Sequence, residues 1–170
     1  QDGFSVIRYL RMDADSQGNT FGIDTTRIIS GGLGTGGQIS SAMAFLDRHE
    51  ELELPKFINP MTLQSYIDTS LSANVYGTLT RPLNIANNPS YSNELHFAFN
   101  LGGYVGDSSW IEPGAVPMVS LASVTDPFSP IEFGASIIRT TGDFLMNCTG
   151  SKGIQQRQQN LGNNLSFSTV

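Results

Sequence analysis

Apolar positions in the first seventeen residues recur at helical spacing. Val6, Ile7, Leu10 and Ala14 fall on one side of a 3.6-residue repeat, and Gly18-Asn19 supplies a stop, so GFSVIRYLRMDADSQGN is expected to be a helix. The β-branched run TTRIISGG then ends in glycine, the pattern of a short buried strand. From Gly36 to Leu46 a helix is expected, with Ile39, Ala42, Met43 and Leu46 on one face. Residues 50–94 are less regular. ELELPKFINP reads as an edge strand or an extended loop, because Pro55 removes a ladder donor. MTLQSYIDTSLSANVYG can carry a helix, and RPLNIANNPSYSNE is loop-like. Further on, ELHFAFNLGGYVGD is expected to be a strand ending at Gly102-Gly103, and VPMVSLASVTDP a second strand closed by Asp126-Pro127. PIEFGASIIRTTGDFLMN is expected to be helical after Pro130. From Lys152 onward the chain is rich in Gln and Asn, with little apolar periodicity.

This alternation implies an α/β class, a mostly parallel sheet with flanking helices. Residues 1–150 are expected to form the domain and residues 151–170 a polar C-terminal tail. In parallel sheets function gathers at the carboxyl ends of the strands. Here those ends are residues 32–37, 102–107 and 125–130.

Composition narrows the partners. The 170 residues are 39% hydrophobic and only 14% charged, with nine basic against fifteen acidic side chains and a formal net charge of −6. No stripe of Lys and Arg is present to neutralise a phosphate backbone, so nucleic acid is not an expected partner. No apolar run approaches the roughly 20 residues that span a bilayer, and no signal peptide is visible. Gln1 in place of an initiator Met suggests a processed chain or an internal fragment. Cys148 is alone, so no internal disulfide is possible, and it reads as a small semi-buried thiol with no role. The triplets NCT at Asn147 and NLS at Asn164 fit the glycosylation acceptor pattern, and with the Asn, Ser, Thr and Gly richness they lean towards an extracellular or cell-surface protein.

The glycine turn carries the candidate chemistry. Gly32, Gly34 and Gly37 satisfy G-x-G-x-x-G between a strand and a helix, which raises a dinucleotide site. That motif also needs an acidic residue at the end of the next strand. Asp47, Glu50, Glu51 and Glu53 follow instead at a helix end and in a Pro-broken segment.

More residues match a different pattern. FGIDTTRIISGGLGTGG resembles the G-I-D-x-x-R-I-x-x-x-G-x-S-x-G-G segment of α/β-hydrolases, in particular carboxylesterase- and lipase-like members. Gly22, Ile23, Asp24, Arg27 and Ile28 match the approach to the strand, and Gly32, Gly36 and Gly37 match the elbow glycines. The family's nucleophilic serine falls on Gly34. Downstream, GDSSWIEPGAVPMVSLASVTDPFSPIEFG resembles the segment P-x-x-x-x-H-G-x-x-D-x-x-V-P, with Asp126 at the catalytic acid and Pro130 at the following proline. Ala122 and Ser123 stand where the family has His-Gly. The resemblance runs from about residue 4 to about residue 140 and implies an α/β-hydrolase-like fold that is incomplete here, its central-to-late part.

What the resemblance implies for chemistry is a triad without two of its members. An elbow presents a side-chain oxygen on a strained turn; glycine accepts that backbone but offers no oxygen. Ser30, Ser40 and Ser41 flank the turn from the strand and the helix rather than its apex. Thr35 holds the position whose backbone N–H serves the oxyanion hole in the family. The family's histidine follows its acid, whereas His49 and His96 both precede Asp126, His49 as a helix-end residue and His96 within a strand. Asp126 also suits a turn before proline. Asp107 and Trp110 can line a pocket, and Glu112, Asp126 and Glu132 can attract a cation, without metal-ligand spacing.

No metal and no cofactor is expected. The favoured function is a hydrolase-like module without independent catalysis, acting in binding of a small ester-like ligand or in assembly. Assembly would join another polypeptide or a copy of the chain through an exposed sheet edge. The alternatives are part of an active serine ester hydrolase completed by missing segments, a dinucleotide-binding domain, and a structural subunit of an extracellular assembly.

Overall fold

The computed structural model describes residues 2–67 and 87–167, which divide into two compact units: residues 1–28 with 47–94, and residues 29–46 with 95–170. Part of the 61–77 segment expected to carry a helix, and part of 81–94, lie outside the described residues.

The first unit is built on helix α1, Asp2–Ser16. It stops where expected, with Gly18 and Asn19 at φ 81° and 53°. Buried Asp13 fixes the chain reversal: its carboxylate accepts from the Thr20 hydroxyl (2.6 Å), and its backbone oxygen from the N–H groups of Gln17 and Asn19. The 51–60 segment is neither edge strand nor extended loop. Two single-turn 3₁₀ helices, His49–Leu52 and Pro55–Phe57, occupy it, and Pro55 sits at a helix start where its missing N–H costs nothing. Buried Glu51 holds the first of them by accepting from the Asp47 and Arg48 N–H groups at 3.0 and 2.9 Å. Residues 61–67 are not helical; Ile58 and Ser65 form an isolated antiparallel bridge.

The second unit has mixed α/β structure. Strand β1, Ile29–Leu33, runs into helix α2, Thr35–Phe45. Strand β2, Phe97–Leu101, is followed by the two-residue β3, Tyr104–Val105, and then by β4, Met118–Leu121. β1, β2 and β4 form a parallel three-stranded sheet in that order, with Leu33, Leu101 and Leu121 in register at its carboxyl edge. The element boundaries read from the pattern for these strands and for α2 hold to within a few residues.

After Pro130 the expectation of a helix is overturned. Phe133–Ile137 is strand β5 and Phe144–Gly150 is strand β6, paired antiparallel, with β3 on the outer side of β6. The reason is local. Phe133, Ile137 and Phe144 suit extended backbone, residues 139–141 form the turn between the strands, and Gly142 at φ 77° closes the reversal by donating to Ile138 O at 2.8 Å. The expected polar tail is likewise partly structured: Ser151–Asn160 forms helix α3.

Helix α3 has a polar buried face, and its amides replace strand-pairing bonds. Asn164, just beyond it, accepts from Met118 N–H at 3.1 Å and donates to Met118 O at 3.0 Å, and Gln155 donates to the same oxygen at 2.8 Å. Gln158 donates to Val116 O at 2.8 Å. At Met118 the outer edge of β4 is therefore covered by side chains. The centre of the unit is Asn100, fully buried on β2. It accepts from Gly103 N–H at 2.8 Å and donates to Gly103 O at 3.2 Å and to Ser151 Oγ at 3.4 Å.

One face of the parallel sheet, with Ala98, Asn100, Met118 and Ser120 buried, packs against α2 and α3. On the other, Ile29, Leu33 and Leu121 are 57%, 77% and 63% exposed. Parallel sheets are ordinarily covered on both faces. Here that face is only partly covered among the described residues: Phe97 packs edge-to-face on Phe167, while the outer strands leave Ile29, Leu33 and Leu121 exposed.

Candidate functional site

Gly34 stands between the last residue of β1 and the first of α2, at φ 58° and ψ −117°. That is the first central position of a type II′ turn, a conformation L side chains rarely adopt. Its N–H donates to Leu101 O at 2.8 Å and its oxygen accepts from Gln38 N–H at 3.0 Å, so the turn is locked to β2 and to the first turn of α2. A Cβ built on Gly34 would meet no atom within 4 Å. The glycine is required by backbone angle, and the space beside it is open.

The neighbouring glycines are required by proximity. A Cβ on Gly32 would lie 2.7 Å from Gly36 Cα, and one on Gly103 would lie 2.5 Å from Asn100 Oδ1 and 2.7 Å from Gln38 N. Close approach of β1, α2 and the end of β2 brings the three strand ends together around a cavity of about 650 Å³. Gly34, Thr35, Gly102, Tyr104, Asp126 and Arg139 are among its lining residues.

Helix α2 has no side-chain cap at its start, and the Thr35 N–H is one of the first four helix donors, which find no acceptor inside a helix. Asp126 is held by its own turn: Oδ1 accepts from Phe128 N–H at 2.8 Å and Ser129 N–H at 3.1 Å. Its other oxygen lies 3.5 Å from where a Cβ of Gly102 would stand. Tyr104 is buried, and desolvation lifts its hydroxyl above the ordinary tyrosine pKa, so it remains a neutral donor at physiological pH. The Arg139 guanidinium stacks on the Phe128 ring, 4.6 Å from its centroid.

The remaining sequence candidates lie elsewhere. Ser30 and Ser40 hydrogen-bond one another at 2.8 Å, and Ser41 is fully buried beside Met118. None of them lines the cavity. His49 belongs to the first unit and begins a 3₁₀ turn instead of ending a helix, with Nε2 3.9 Å from Glu53 Oε1. His96 precedes β2, at the opposite end of that strand from the cavity, roughly 16 Å along the chain direction. Asp107 caps a 3₁₀ turn by accepting from Ser109 N–H at 2.8 Å, and Trp110 is buried against Gly106; neither lines the cavity. Glu132 pairs with Lys152. Among the described residues no three His, Cys, Asp or Glu side chains cluster as metal ligands, and no helix is long and apolar enough to cross a membrane.

Tyr104, Phe128, Arg139 and Leu145 line the cavity and were not singled out by the sequence reading. Arg139 was hidden by the expectation of a helix over its segment; the β-branched IIRTT preceding a glycine was the available signal. No family model matches the chain, and comparisons with curated proteins and with solved structures gave no match.

Proposed function

We propose that the chain is an α/β-hydrolase-like module that binds a small ester-like or acyl ligand at the carboxyl end of its parallel sheet and does not hydrolyse it. The observation that carries this reading is Gly34: an elbow-like backbone, φ 58° and ψ −117°, at a strand-to-helix apex with empty space where a nucleophile would project. The Thr35 N–H at the start of α2 supplies the donor for a ligand carbonyl, and Asp126 holds the position of the family's acid in the same cavity. Acyl transfer needs an attacking heteroatom and a base to take its proton. No histidine lines the cavity.

Assembly is the second part of the proposal. The outer edge of β4 is held at Met118 by Asn164 and Gln155, whereas β1 pairs only with β2 among the described residues and carries the exposed Ile29 and Leu33. A second polypeptide, or another copy of this chain, adding against β1 satisfies that edge. On its composition and acceptor triplets we place the protein outside the cell or on its surface.

The dinucleotide reading has less support. It asks for a carboxylate at the end of the next strand, and β2 ends in Asn100 and Leu101, followed by Gly102 and Gly103. An active ester hydrolase completed by other segments differs from our proposal in one measurable respect, labelling by a fluorophosphonate. We expect no label and no turnover of p-nitrophenyl esters, together with saturable binding of a fluorescent acyl analogue that Thr35→Pro abolishes. Stoichiometric labelling of the chain would overturn the proposal.

A further inference from the structure

The cavity at the carboxyl end of the parallel sheet is lined by both Asp126 and Arg139, and the order of polar groups along its wall selects a class of ligand. Resting on the acyl-binding reading above, we infer that it takes an N-acylated α-amino acid. The acyl carbonyl meets Thr35 N–H, the amide N–H meets Asp126, and the free carboxylate meets Arg139.

Arg139 lies in the turn between β5 and β6. Two contacts hold it at the wall. The Ile137 N–H donates to Phe128 O at 3.0 Å, tying the hairpin to the turn that Asp126 opens, and the guanidinium stacks on the Phe128 ring. Among the described residues that guanidinium is in no ion pair, with Asp126 or with any other carboxylate. Its N–H donors are left for another group, and their fork fits a carboxylate.

Asp126 uses Oδ1 to accept from the Phe128 and Ser129 N–H groups. Oδ2 has no hydrogen-bond partner among the described residues and lies 3.5 Å from where a Cβ of Gly102 would stand. The preceding Leu101 oxygen accepts from Gly34 N–H, so the end of β2 that holds the glycine turn also faces Oδ2. Along the wall the order is therefore a donor at Thr35, an acceptor at Asp126 and, across Phe128, a cation at Arg139. A simple oxyanion does not match this order, because Asp126 lines the same cavity. An ester does not match it either, since its bridging oxygen has no proton to give. An acylated amino acid offers carbonyl, N–H and carboxylate in the complementary sequence. Leu33, Leu101 and Leu145 line the cavity as well and suit the acyl chain.

The test is calorimetric titration of the full chain with N-butanoylglycine, its methyl ester, O-butanoylglycolate and methyl butanoate. N-Butanoylglycine should bind most tightly. Masking its carboxylate as the methyl ester, or replacing its N–H by oxygen in the glycolate, should each weaken binding about fivefold. Arg139→Gln should erase the difference between N-butanoylglycine and its methyl ester, and Asp126→Asn the difference between the amide and the glycolate. Equal affinity for all four compounds, or a carboxylate preference that survives Arg139→Gln, would overturn this inference and leave the acyl-binding reading standing. Absence of binding by any of the four would overturn both.

Discussion

At the scale of single residues, Gly34 shows how backbone and side-chain requirements separate. The turn needs a positive φ with ψ near −120°, which glycine adopts freely; acyl chemistry needs a heteroatom, which glycine lacks. Because a Cβ at this position meets nothing within 4 Å, Gly34→Ser is expected to fold, losing about 1–3 kcal/mol to backbone strain. A thermal melt checks the first part. The variant is also expected to stay unlabelled by fluorophosphonate, since no imidazole lines the cavity; rapid labelling would show that Asp126 or another group can act as base. The glycine run and Asp126 were legible in the sequence because both depend on short local patterns. That Asp126 Oδ1 is occupied by the N–H groups of Phe128 and Ser129 was not, because a turn carboxylate and a triad carboxylate look alike in one dimension.

At the scale of elements, periodicity identified α1, β1, α2, β2 and β4, each a short run with a clear stop. It failed at β5 and β6, where the segment expected to be helical after Pro130 is two strands joined by a glycine turn. Helix α3 was missed for another reason. Its buried face is amides and serine beside Ile154, and hydrogen bonds to backbone replace apolar packing there. Asn164 is the clearest instance, pairing with both Met118 N and Met118 O as a neighbouring strand would. Asn164→Ala is therefore expected to destabilise the protein by about 1–3 kcal/mol, as the Met118 N–H loses its acceptor while Met118 O keeps only the Gln155 donor. Urea denaturation checks this, and the loss should be visible as faster amide exchange at Met118.

At the scale of the whole molecule, the two units could not be foreseen, because residues 29–46 and 95–170 belong to one unit while the intervening segment belongs to the other. Contact over such sequence distances leaves no local pattern. The parallel sheet was legible; the exposed apolar positions on one face follow from which residues of the outer strands alternate outward, Ile29, Leu33, Val119 and Leu121. If that face and the β1 edge join a partner copy, light scattering should show a mass rising with concentration, and Ile29→Lys with Leu33→Glu should return the chain to monomer. A monomer at every concentration would argue for a different polypeptide as the occupant. The amide of Asn164 has one more implication. It lies in an acceptor triplet, and the nitrogen that would carry a sugar is the one donating to Met118 O. In a cell that attaches glycans during synthesis, modification at Asn164 and closure of the β4 border compete for a single atom, so site occupancy would record how quickly this part of the chain folds.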